Sequence, residues 1–227
     1  MLKKLLIIVI ISFFLTIVPM WMIWAHHLFV TGLNPFLGII FTALSIVITV
    51  LLIIFILRKI LNYLKGKISF HPAILFAIGF FSFLFADLMT RKFYSDSTLD
   101  IHLHDTYFVI AHAHLILFLA IIFGIFSAVY YFYPVIFKRY MNSILGYIHF
   151  WVTFICAYLV FYPVHYEGLA GMPRRYIDYS GWNSYNESSN LNEFVSKTTI
   201  VLCAAQILFL FNFFYSAIYG KKRISVV

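Results

Sequence analysis

The sequence predicts an all-α integral membrane bundle of about six transmembrane helices, and three observations point there. Hydrophobic residues make up 63% of the 227 and charged residues only 11%, far from the balance of an average soluble domain. Six stretches approach the ~20 apolar residues that a helix rising ~1.5 Å per residue needs to cross a ~30 Å hydrocarbon layer. Lysine and arginine gather on alternate connections between those stretches.

The expected spans are residues 5–25, 36–57, 71–90, 107–134, 144–163 and 198–218, with 164–197 as a long outer loop. Backbone polar groups facing lipid must pair within their own segment, which favours helices, and the period-two alternation of a membrane barrel is missing. In the first span Lys3 and Lys4 precede a run of Leu, Ile, Val and Phe, like the start of a secretory signal. No small-x-small cleavage site follows, and Pro19-Met20-Trp21-Met22 is bulky, so the run reads as a true span. The third span is the shortest apolar run, and Asp87 falls near its end. No internal repeat or low-complexity linker divides the chain, which reads as a single membrane domain over residues 1–227.

The net charge of +8 is explained by topology. On six spans, Lys3, Lys4, Arg58, Lys59, Lys65, Lys67, Lys138, Arg139, Lys221, Lys222 and Arg223 share one side of the membrane. Every carboxylate lies on or borders the other side. That is the positive-inside pattern, which puts both termini on the cytoplasmic or matrix side and leaves no reason to invoke nucleic acid. Cys156 and Cys203 fall inside spans and read as small buried apolar residues.

Histidine is costly in a bilayer unless it is paired or used as a ligand. His112 and His114 stand two residues apart in Ala111-His112-Ala113-His114, near the outer end of the fourth span. Positions i and i+2 of a helix point ~200° apart, so the two imidazoles cannot chelate one metal. Each can hold its own planar cofactor, and heme iron is commonly held by an axial histidine. The small Ala111 and Ala113 leave room for a porphyrin edge.

His26 and His27, after Trp24-Ala25, are neighbours ~100° apart and converge on one ion only where the helix ends or distorts, with Gly32 and Pro35 nearby. Imidazole suits copper or zinc. His104 and Asp105 can hold a hard divalent cation, or Asp105 can cap the helix that follows. Arg174 and Arg175 suit bidentate contact with carboxylates such as heme propionates, or with lipid headgroups. No catalytic residue is identified beyond these ligands.

Four motifs in order, Trp24-Ala25-His26-His27, Leu103-His104-Asp105-Thr106-Tyr107, Ala111-His112-Ala113-His114 and Gly168-Leu169-Ala170-Gly171-Met172-Pro173-Arg174-Arg175-Tyr176, strongly resemble subunit I of the heme-copper oxidases, the aa3-type cytochrome c oxidases in particular. The resemblance runs from about Trp24 to Asn183, with a last span beyond it, and covers helices seven to twelve of the family's twelve.

The resemblance implies that His26 and His27 are copper ligands, that His112 holds the high-spin heme and His114 the low-spin heme, and that Arg174 and Arg175 pair with heme propionates. It also implies magnesium at His104 and Asp105, and two hemes, by expectation heme A. The implied activity is reduction of oxygen to water in a respiratory chain of a bacterial or mitochondrial inner membrane. The implied partners are a chain supplying the N-terminal half of subunit I, a subunit II, and cytochrome c or quinol as electron donor.

Two departures stand against that pattern. The third copper histidine with its cross-linked tyrosine, and the second low-spin heme ligand, belong to the half of the family's subunit that this sequence does not cover. Where the family carries Pro-Thr-Gly-x-Lys for proton delivery, this chain has Leu51-Leu52-Ile53-Ile54-Phe55, with Phe55 at the lysine position. The rival expectation is therefore a non-catalytic heme-binding or structural membrane subunit descended from an oxidase.

Overall fold

The computed structural model describes residues 70–95, 97–177 and 185–222, together with positions 32, 34–40, 43, 44, 47, 50, 51, 54 and 58. His26 and His27 lie outside the described residues, as does Phe55. The described residues are helical, with no strand among them beyond two isolated bridges. Two compact units are described in turn, residues 1–68 with 90–104, and residues 69–89 with 105–227.

In the first unit, residues 35–40 open a helix at Pro35. The Asn34 side chain accepts the Phe36 N–H at 2.9 Å, and Pro35 sits where a missing N–H costs nothing. The short α2 (Ser97–Leu103) buries Asp100 and Leu103. Burial pushes the Asp100 carboxyl above its ordinary value near 3.8, against the opposing pull of His104.

The second unit is built from α1 (Pro72–Ser95), which it shares with the first, α3 (Tyr107–Ala113), α4 (Ile121–Ile136), α5 (Ser143–Leu169) and α6 (Tyr185–Tyr219). A seven-residue π segment, His114–Ala120, joins α3 to α4. The core is aromatic. Phe76 of α1 packs on Phe123, Phe126 and Tyr130 of α4 and on His149 and Phe150 of α5, with centroids 4.9–5.5 Å apart. Helix association in lipid rests on such packing and on interhelical hydrogen bonds, since burying apolar surface gains nothing over hydrocarbon.

Those hydrogen bonds are present. Ser127 Oγ of α4 donates to the Ala73 carbonyl at 2.8 Å, Ser82 Oγ of α1 meets Tyr158 OH of α5 at 2.6 Å, and Tyr133 OH donates to the Phe213 carbonyl of α6 at 2.6 Å. His149 of α5 joins three helices: its Nδ1 lies 3.1 Å from Tyr130 OH and its Nε2 3.3 Å from Gln206 Oε1. An amide oxygen only accepts, so Nε2 carries the proton and Nδ1 accepts from the tyrosine. Gln206 then donates to Thr153 Oγ1 at 3.2 Å, which completes a neutral network.

Among the described residues, two helices, Ser143–Leu169 and Asn190–Tyr219, are long and apolar enough to cross a membrane, and Pro72–Asp87 and Ile121–Ile136 are shorter apolar helices. The stretch 164–197, expected as loop, is largely helical: α5 runs through Pro163 to Leu169, and α6 begins at Tyr185. Proline is tolerated inside membrane helices where neighbours satisfy the freed carbonyl. The polar start of α6 is held by Lys197 on Glu193 at 2.6 Å, one turn apart, and by Ser196 and Thr198 hydroxyls on the Asn192 and Phe194 carbonyls.

Candidate functional site

The start of α3 is fixed by three local devices. Thr106 takes an extended conformation and its Oγ1 accepts the Phe108 N–H at 3.2 Å, so Thr106 caps the helix, and of the two roles open to Asp105 in the sequence the cap is not the one it takes. The segment after α5 lies alongside in an antiparallel bridge between Thr106 and Pro173. The Tyr107 N–H donates to the Met172 carbonyl and the Arg174 N–H to the Asp105 carbonyl, both at 2.9 Å. Gly171 supplies the positive φ of 85° that turns the chain out of α5.

The third device is contact between backbones. Gly168 of α5 sits against α3 so closely that a Cβ there would stand 2.0 Å from the Phe108 nitrogen. Only glycine lets the two helices approach this far.

Asp105 and Arg175 adopt φ of 60° and 68°, in the left-handed region where non-glycine residues are uncommon. The guanidinium of Arg174 reaches Asp105 Oδ1 through Nε at 2.8 Å and through a second, closer nitrogen. Arg174 is therefore shared with Asp105, and the carboxylate assigned to magnesium is engaged by a cation of its own chain. Arg175 is exposed, and so is His104.

His112 and His114 leave α3 on different sides. His112 is buried, with Nδ1 3.3 Å from Oδ1 of Asp87 on α1. His114 faces α5, where its ring stacks on Phe161 with centroids 5.7 Å apart and planes 18° apart. Its Nδ1 lies 2.7 Å from the Ile110 carbonyl, which can only accept, so the proton is on Nδ1 and the lone pair on Nε2. The carboxylate beside His112 Nδ1 favours the same tautomer. Metal-ligating histidines commonly have an acceptor at the ring nitrogen away from the metal, and both residues have an oxygen beside Nδ1. The π segment begins at His114; such distortions are frequent at functional sites.

Three buried polar residues complete the neighbourhood, none of them singled out by the sequence as a site. Asp87 is 2% exposed. His165 of α5 donates Nδ1–H to the Phe161 carbonyl at 2.7 Å and meets the Phe108 ring edge-on, while its Nε2 has no partner among the described residues. Glu167 is 1% exposed, and neither carboxyl oxygen has a hydrogen-bond partner among the described residues. The cost of a charge in lipid was the one signal that could have found them. Among the described residues, no three His, Cys, Asp or Glu side chains converge on a metal position.

Residues 4–204 match the family described as cytochrome c and quinol oxidase polypeptide I. The alternative cytochrome c oxidase subunit 1 of Bradyrhizobium diazoefficiens is 36% identical over 202 residues, 88% of this chain and 34% of that protein. The cytochrome c oxidase subunit 1 of Synechocystis is 38% identical over 200 residues, 88% of this chain and 35% of that protein. The chain thus spans about a third of the length of these curated relatives. In three dimensions it resembles a chain of a heme-copper terminal oxidase dimer solved by cryo-EM, with a TM-score of 0.65 at 14% identity over 90% of this chain and 41% of that one. The family match takes in most of the helical core and the whole of the His112–His114 segment, and by it the chain belongs to the cytochrome c and quinol oxidase polypeptide I family, the membrane subunit I of the heme-copper oxidases.

Proposed function

We propose that this chain supplies the C-terminal part of an oxidase subunit I, holding two hemes through His112 and His114 and a copper ion through His26 and His27, with the remaining helices of the subunit on a companion chain. The observation that carries the reading is the divergence of the two imidazoles, one toward Asp87 on α1 and one toward Phe161 on α5, each with an oxygen acceptor beside its Nδ1. Hemes and copper, when bound, supply electron transfer and the reduction of oxygen to water. The chain's own residues orient them. Thr106, Gly168 and the Met172–Arg174 strip lock the start of α3, which fixes where His112 and His114 point. Arg174, shared with Asp105, offers a cation for a heme propionate.

The test is to purify the chain with whatever accompanies it in its membrane, and to record optical spectra and metal content. Two hemes and one copper in a complex with a six-helix companion are expected. His112→Ala and His114→Ala should then abolish different heme signals; loss of one and the same signal in both variants would overturn the two-face assignment. A second reading, a heme-binding subunit without oxidase activity, is favoured by Phe55 at the position where the resemblance calls for a proton-conducting lysine. It predicts heme without oxygen consumption.

A further inference from the structure

We propose that Asp87 is a positioning residue for His112: its buried carboxylate stands beside Nδ1 of that imidazole and makes its Nε2 a stronger donor to heme iron than the Nε2 of His114. The inference rests on the axial-ligand reading above and deepens it.

Asp87 lies on α1 within the apolar stretch Pro72–Asp87, and it is almost wholly inaccessible. A carboxylate at such a place carries a desolvation penalty, and is retained where a partner or a function offsets it. His112 faces it, with Nδ1 3.3 Å from Oδ1, an ion-pair contact and not a hydrogen bond in this structure. Catalytic and ligand-orienting contacts of that length shorten once the site is filled.

Two residues along the same helix, His114 offers an internal comparison. Its Nδ1–H goes to the neutral peptide carbonyl of Ile110 at 2.7 Å. The two imidazoles therefore differ in what stands behind them, a carboxylate for one and an amide for the other. A carboxylate behind a metal-bound histidine raises the basicity of the ligating nitrogen, and hydrogen bonding of this kind is one of the protein's levers on heme potential. No proton changes place in this arrangement: it stays on Nδ1, and the negative charge polarises the ring. A more electron-rich ligand favours the ferric over the ferrous iron, so the heme on His112 is held at a lower potential than an amide-backed histidine would set. A simple clamp between α1 and α3 would hold the ring equally well without moving that potential.

The experiment uses the complex purified with its companion chain, an optical redox titration, and resonance Raman detection of the ferrous iron–histidine stretch. Asp87→Asn keeps the shape and an acceptor oxygen but removes the charge. It is expected to shift the ferrous-to-ferric ratio of the heme lost in His112→Ala about tenfold toward ferrous, a rise of about 59 mV for a one-electron couple, and to lower the iron–histidine frequency. The heme on His114 should not move, and Asp87→Glu should restore both values. Both hemes bound in Asp87→Asn with unchanged potential and frequency would overturn the proposal while leaving the ligand assignment standing. Should Asp87→Asn fail to load heme, the wild-type frequency decides: a value typical of carboxylate-backed imidazole supports the proposal, and one typical of carbonyl-backed imidazole refutes it. A wild-type complex with no heme removes the ligand reading and this inference together.

Discussion

Glu167 places a carboxyl group in the tightest part of the α3–α5 contact, one residue before Gly168, with neither oxygen hydrogen-bonded among the described residues. Leaving a buried polar group unsatisfied costs ~1–3 kcal/mol, whereas an apolar side chain of similar length carries no such penalty. Glu167→Leu is therefore expected to raise stability by about that amount, read as a higher midpoint of thermal unfolding in detergent followed by circular dichroism. A lower midpoint would show that the carboxyl is stabilised by a partner in the folded protein. Glu167 and Asp87 also mark where residue-level reading of the sequence stops. His112 and His114 were legible because an i, i+2 pair inside an apolar run fixes two faces of one helix whatever surrounds it. Asp87 reads as a span boundary, because its contact is with an imidazole 25 positions away in sequence and on another helix. Glu167 fell in a stretch expected to be loop, where an acidic residue needs no explanation.

Helix lengths follow a similar logic. The apolar runs announce α4, α5 and most of α6, since uninterrupted hydrophobicity in lipid requires a helix. Their ends are less legible: Pro163 reads as a terminus but lies inside α5, and the Ser- and Asn-rich start of α6 reads as a loop though side-chain bonds one turn apart hold it helical. The π segment gives no signal in the apolar sequence His114–Ala120. Glycine shows the contrast between a close approach and an ordinary contact. At Gly168 a Cβ would meet the Phe108 backbone at 2.0 and 2.5 Å, and backbone cannot swing aside. Gly168→Ala is expected to cost ~3 kcal/mol, the upper end of overpacking penalties. At Gly124 of α4 the nearest atom to an added Cβ is a Phe80 ring carbon at 3.4 Å, and Gly124→Ala should instead gain ~0.5–1 kcal/mol from helix propensity. Chemical denaturation of the two variants side by side checks the pair; equal effects would show that the α3–α5 approach is looser than the coordinates place it.

At the scale of the molecule, the second unit has two chemically distinct ends. The turn between α4 and α5 carries Lys138 and Arg139 and is tied to the end of α6: the Tyr140 N–H donates to the Lys221 carbonyl at 2.9 Å, and the Arg139 guanidinium donates to the Gly220 carbonyl at 2.8 Å. Lys221 and Lys222 thus join the same end, which gathers four basic side chains and no carboxylate among the described residues of that turn and tail. The opposite end of α5 carries Asp105 with Arg174, and Glu193 with Lys197 follows on the first turns of α6. Translocation of short basic connections is disfavoured, so the charge distribution predicts the Lys138–Lys222 end on the side where the chain is made. The closing prediction tests that assignment on the native complex in sealed membrane vesicles of known orientation. Tyr140 and Tyr176 are exposed, one at each end, and each can be changed singly to cysteine in a background with Cys156 and Cys203 replaced. A membrane-impermeant thiol reagent applied from the cytoplasmic or matrix side should label Tyr140→Cys and spare Tyr176→Cys, and the pattern should reverse when the reagent is applied from the other side. Labelling of both positions from one side would mean that α5 does not cross the bilayer, and the reversed pattern would invert the membrane orientation inferred from the charge distribution.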